Sequence, residues 1–140
     1  ETSFYVEKDA KLAAVFTDLT LSRQASVSDA GYIFLSSQLN YETVKALFEK
    51  AKKGTLADPQ LSASFIICCD SISGSCTARF KGPGIDGVRE INTTSYIKKV
   101  CRLKQELDCD YPCGIDLFFV TPGGEITASP RLCKLETEVD

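Results

Sequence analysis

The sequence predicts an α/β fold: a mixed β-sheet between helices, in a three-layer α/β/α sandwich. Two observations lead to this. Segments with apolar residues at helical spacing alternate with short β-branched and aromatic runs, which calls for β-α-β units and parallel pairing. Glycine- and proline-rich turns after two of the runs add antiparallel hairpin arms. The 140 residues, 44% apolar and 25% charged, suit one α/β domain over 1–140. A chain of this length buries roughly two-thirds of its unfolded surface, so its core needs no disulfide or metal staple.

The elements follow in order. Phe4 to Val6 suits a short edge strand. From Glu7 to Leu19 the apolar residues Leu12, Val15, Phe16 and Leu19 fall on one face of a helix. Thr20 to Gly31 is polar and loop-like, and Tyr32-Ile33-Phe34-Leu35 suits a strand buried on both faces. Tyr41, Val44, Leu47, Phe48 and Ala51 have helical spacing, with Asn40 as N-cap, lysines at positions 50, 52 and 53 for the C-terminal dipole, and Gly54 as C-cap. Leu61 to Cys69 is a strong strand, and Ser75 to Phe80 is expected to return as its antiparallel partner. After the loop Lys81 to Gly87, Asn92 or Thr93 caps a helix whose apolar face is Tyr96, Val100, Leu103 and Leu107. Ile115 to Val120 is the most strand-like run. Pro122-Gly123-Gly124 turns it, Glu125 to Ala128 forms a hairpin arm, and the tail from Arg131 to Asp140 extends or caps the sheet.

Composition narrows the chemistry. The net charge of −3 argues against broad binding to nucleic acid or an anionic membrane. No run of about 18 apolar residues is long enough to span a bilayer. Glu1-Thr2-Ser3-Phe4 does not resemble a signal peptide, and without an initiator Met the chain is expected to be a fragment. The seven cysteines are an odd number in a chain with an ordinary core, which points to reduced thiols in a cytoplasmic protein, most of them packing as small hydrophobes. There is no histidine. The commonest general base and metal ligand, and every His-dependent triad, are therefore missing.

Three groups of residues are candidates for a site. In Lys81-Gly82-Pro83-Gly84-Ile85-Asp86-Gly87 the glycines let backbone N–H groups approach a phosphate, and Lys81 adds charge. No Gly-Lys-Ser/Thr follows and no helix opens at the loop, so a plain connecting loop is the favoured reading. Asp116 stands near the start of an apolar strand and needs a partner. Arg131, at the end of the neighbouring arm, is the expected one, in a structural ion pair preferred over an active-site carboxylate. Cys68, Cys69, Cys76, Cys101, Cys109 and Cys113 form no Cys-x-x-Cys, so neither a metal nor a cofactor is expected. A nucleophilic cysteine lacks its usual histidine.

Four segments, in order, carry a family resemblance: Gly54-Thr55-x-x-x-Pro59 with Leu61-Ser62-Ala63-Ser64; Gly82-Pro83-Gly84-Ile85; Pro112-x-Gly114-Ile115-Asp116-Leu117; and Ser129-Pro130-Arg131. From about Phe4 to Glu136 the chain resembles the H subunit of the bacterial carbon–phosphorus lyase core complex, the PhnH family. The resemblance implies a sandwich similar to the large domain of pyridoxal-phosphate-dependent transferases, without the cofactor. It also implies a homodimer joining the G, I and J subunits, where an alkylphosphonate displaces adenine from ATP to give a ribose 1-phosphonate 5-triphosphate. The subunit is then accessory, and carbon–phosphorus cleavage belongs to J.

Two departures stand out. The family's N-terminal Arg-containing helical segment is absent, and Leu132-Cys133-Lys134 stands where threonines and a histidine are common. No catalytic residue carries over. The expected functional surface is Lys81, Gly82, Gly84, Gly114, Asp116, Pro130 and Arg131, with turn geometry as the alternative for its glycines and proline. The rival function is a stand-alone nucleotide- or phosphate-binding enzyme or module using the Lys81–Gly87 loop.

Overall fold

Chain segments become elements where caps and turns allow. A computed structural model describes residues 2–136, so the expected tail beyond Glu136 lies outside the described residues. After β1 (Ser3–Val6), the Asp9 side chain accepts the Leu12 N–H at 3.0 Å and opens α1 (Ala10–Thr20), which stops at Leu21 in the left-handed region, φ 56°. The expected loop contains a two-residue strand, β2 (Arg23–Gln24), and leads to β3 (Tyr32–Leu35). Asn40 caps α2 (Tyr41–Lys50) as expected, accepting the Thr43 N–H at 2.8 Å. The C-cap is Ala51 rather than Gly54. Gly54, at φ +78°, instead lets the following loop close on Pro59, whose carbonyl oxygen would lie 2.6 Å from an added Cβ.

The strands that follow are β4 (Ser64–Cys68), β5 (Cys76–Lys81) and β6 (Arg89–Thr93). The last of these corrects the helix start: Asn92 and Thr93 belong to a strand, and Thr94 caps α3 (Ser95–Gln105) by accepting the Ile97 N–H at 3.2 Å. Then come β7 (Asp116–Val120), β8 (Ile126–Ser129) and β9 (Lys134–Leu135).

Six strands form a mixed sheet in the order β2-β1-β3-β4-β7-β8, with only β8 antiparallel to its neighbour. The expected pairing of Ser75–Phe80 with the preceding strand does not form. Both edges of β4 are taken by parallel partners, β3 and β7, so β5 is left to pair elsewhere. It joins β6 and β9 in a separate antiparallel sheet, ordered β6-β5-β9. The two sheets share one buried cluster, which runs from Ile33, Phe65 and Phe119 to Ala78, Phe80 and Leu135.

Register sorts the large sheet into two faces of different character. Ile33, Leu35, Phe65, Ile67, Leu117 and Phe119 share one face and are all buried beneath α2 and α3, with Phe48 of α2 edge-on to Phe65 at 4.7 Å. The opposite face carries Phe4, Phe34, Ile66, Phe118, Val120, Ile126 and Ala128. Among the described residues α1 covers it at the β1 end, where Phe16 meets Phe4 at 5.8 Å and Phe34 at 4.4 Å. The third layer is therefore partial. Val15 and Leu19, expected to face the core, are 47% and 77% exposed, because α1 sits over the margin of the sheet. Tyr32, expected to be buried, is 45% exposed.

Burial on one face sets where stability resides. Phe65→Ala is expected to cost about 3–5 kcal/mol, whereas Leu19→Lys on exposed α1 should change stability by no more than about 0.5 kcal/mol. Urea melts of the two variants check both.

Candidate functional site

The glycine loop is a hairpin connection. Ile85 N–H donates to Gly82 O at 3.1 Å, with Pro83 second and Gly84 third at φ +83°, the arrangement of a type II turn. Strand β6 follows it, so no helix opens at the loop. Lys81 does not face the loop's interior: its ammonium pairs with Glu136 at 3.5 Å, beside the Arg79–Glu136 pair at 3.2 Å.

Most of the other candidate residues meet at one turn, Pro130 to Cys133, which carries the chain from β8 to β9. Gly82 lies so close to it that a Cβ would stand 2.9 Å from both Cys133 Cα and Leu132 O. A Cβ on Gly114 would stand 3.3 Å from Arg131 Cβ. Asp116 and Arg131 are partners, but not as an ion pair. The carboxylate Oδ1 accepts the Arg131 backbone N–H at 2.7 Å, while the guanidinium donates through Nη1 to Pro59 O at 2.8 Å. Arg131 Nε is buried and unpaired. Pro59 and Gly114 thus seat a side chain that the sequence alone would pair with Asp116.

The residue that organises the turn was not singled out from sequence. Lys104, 7% exposed, sends its ammonium into the turn and donates to Ser129 Oγ at 2.8 Å, Ser129 O at 3.2 Å, Pro130 O at 2.6 Å and Cys133 O at 2.9 Å. Three protons serve four acceptors, all of them uncharged. Burial lowers the Lys104 pKa from its ordinary value. A signal was present: Tyr96, Val100 and Lys104 recur every four residues, so the lysine continues the helix's buried stripe.

Above this turn lies a cleft of about 560 Å³. Gly84, Asp116, Pro130 and Arg131 line it, together with Arg89 of β6, Cys101 and Cys133, and its apolar walls include Phe80, Ile91, Ile97 and Phe119. Lys81, Gly82 and Gly114 lie outside it, along smaller neighbouring hollows.

The chain matches, over residues 1–136, the model of the family described as bacterial phosphonate metabolism protein, PhnH. It belongs to that family. No curated protein matches the chain.

Within this PhnH chain the cysteines are free thiols, and Cys101 and Cys133 are buried at the cleft. Burial pushes the Cys101 thiol up to about 11 and also raises Cys68, Cys69 and Cys109, which works against thiolate chemistry at neutral pH. Among the described residues no group of three or more Cys, Asp or Glu is disposed to hold a metal ion. What the geometry offers is cationic donors, one carboxylate and apolar walls, which suits binding and orientation.

Two measurements test the turn. Lys104→Met leaves buried acceptors unpaired and should cost about 2–4 kcal/mol, with faster hydrogen exchange at the Arg131 N–H. In the second, Cys101 stays protonated in the fold while the unfolded thiol ionises from about pH 9. The folded state then binds more protons, so stability falls as pH rises from about 9 to about 11, by about 2–3 kcal/mol from this group. Lys104, shifted down, acts in the opposite direction. Cys101→Val should flatten the alkaline fall in urea melts taken across that range.

Proposed function

We propose that this chain is an accessory subunit of the carbon–phosphorus lyase system. In this reading it supports displacement of adenine from ATP by an alkylphosphonate, giving a ribose 1-phosphonate 5-triphosphate. Its partners are a second copy of itself and the G, I and J subunits, in the cytoplasm. Family membership places it in phosphonate metabolism. The observation that carries the assembly role is the open sheet face. Phe118 and Ile126 are 38% and 69% exposed beside half-buried Ile66 and Val120, with no helix of the described residues packed on them. Apolar surface of this continuity on a folded domain marks an interaction site.

Other features agree. No helix of the described residues is long and apolar enough to cross a membrane. The parallel strands, with α2 and α3 on one face and α1 over the β1 end of the other, are in keeping with the implied likeness to the large domain of pyridoxal-phosphate-dependent transferases. The Lys81–Gly87 loop gives the rival reading less support, because its lysine is engaged with Glu136 and a strand follows it. The whole of residues 1–140 is taken as one domain.

Co-expression with the G, I and J subunits tests the proposal: the chain should co-purify with them, and it should not turn over ATP and methylphosphonate alone. Phe118→Glu should abolish co-purification while leaving the circular dichroism spectrum unchanged. Turnover by the isolated chain would overturn the accessory role, and undiminished assembly of the Phe118→Glu variant would remove the sheet face from it.

A further inference from the structure

We propose that the cleft above the Pro130–Cys133 turn is a binding site for an organic phosphorus oxyanion: a phosphate or phosphonate whose organic group lies against the apolar walls.

The charge balance is the first argument. Arg89 reaches the cleft from β6, exposed and with no partner among the described residues. Arg131 lines it, and its guanidinium makes one hydrogen bond, to Pro59 O, among the described residues, of the five it can donate. Lys104 stands behind the wall, bonded to Ser129, Pro130 and Cys133, which themselves line the cleft. All four of its acceptors are neutral. Three cations thus surround a cleft whose lining includes one carboxylate, Asp116, in a chain whose net charge is −3. The direct partners of the ammonium are all neutral and Asp116 acts on it only from a distance, so much of its field persists in low-dielectric surroundings, and an anion in the cleft would answer it.

Size and lining give the second argument. About 560 Å³ is far more than a bare oxyanion fills and lies in the range of small-molecule sites. Phe80, Ile91 and Phe119 offer the ligand's remainder an apolar surface. The ligand is therefore two-ended. Arginines suit phosphorus oxyanions through paired N–H donors. Choosing phosphorus over a carboxylate rests on the family's place in phosphonate metabolism. Arg89 is the assigned ligand-touching residue. Lys104, fully committed to the turn, is a positioning residue.

The test is a titration of the isolated full chain, followed by calorimetry and by NMR, with phenylphosphonate, adenosine 5′-monophosphate and inorganic phosphate at constant ionic strength. Phenylphosphonate or the nucleotide should bind saturably, about tenfold or more tighter than inorganic phosphate. Binding of the first alone identifies a phosphonate ligand, binding of the second alone a nucleotide, and binding of both the shared chemistry. Arg89→Gln should weaken binding by about tenfold or more. Lys81→Gln, the same charge change outside the cleft, should leave it within about twofold. Both side chains are exposed, so neither variant puts folding at risk. No saturable binding at millimolar ligand, equal affinity for inorganic phosphate, or equal effects of the two variants would overturn the site. Such a failure with co-purification intact would leave the assembly role standing, so the two proposals fail separately.

Discussion

The arrangement around the cleft depends on one buried ammonium. Lys104 is taken out of water and given four neutral oxygens in place of a carboxylate. Desolvating such a charge costs several kcal/mol, which converging dipoles offset only if they are held in place. The lysine and the turn therefore fix each other. Removing the ammonium takes a buried donor from the backbone carbonyls of Ser129, Pro130 and Cys133, of which Pro130 O keeps the Cys133 N–H at 2.9 Å, and no other described side chain bonds all three.

That turn is also the junction between the two sheets. Ser129 ends β8 in the large sheet and Lys134 begins β9 in the small one, so the chain crosses between them in four residues. The neighbouring Gln105 extends the hold, accepting the Leu135 N–H at 2.8 Å and donating to Leu135 O at 3.2 Å. The last turn of α3 thus clamps the crossing at two successive points. Gly82 and Gly114 approach the same crossing from opposite elements; an added Cβ would meet backbone atoms of Leu132 and Cys133 at 2.9 Å from the first and Arg131 Cβ at 3.3 Å from the second. Their role is contact distance, and Asp116 completes the seat by accepting the Arg131 N–H.

Periodicity made β3, β4, β7, α2 and α3 legible, because each buries residues at its own period. It also placed Asp116 beside Arg131, since a hairpin brings the start of one arm to the end of the other. What it could not supply was pairing. Arg89 to Thr93 holds one apolar residue, Ile91, too little for a period to mark it as a strand, and nothing local says that β5 will find it; that pairing follows only once β3 and β7 occupy both edges of β4. Nor does an apolar stripe say what will cover it. Val15 and Leu19 are on a helix, as read, but the helix lies beyond most of the sheet. Lys104 escaped notice for the converse reason. A lysine in a helix reads as solvated surface, and only its neutral cage, built from residues far along the chain, turns it inward.

The cleft and the open sheet face are separated by the alternation of the strands. Phe119, Thr127 and Ser129 project toward α3 and the cleft, while Phe118, Val120 and Ile126 project to the other side. A partner seated on the open face therefore leaves the α3 wall of the cleft uncovered. The two surfaces still meet at β8, an edge strand of the large sheet, where Ala128 lies on the open face and lines the cleft as well. With β8 common to both, a subunit docked on the apolar face stands at the rim of the cationic cleft. In the proposed assembly, a ligand in the proposed cleft therefore lies at the border with the protein beside it.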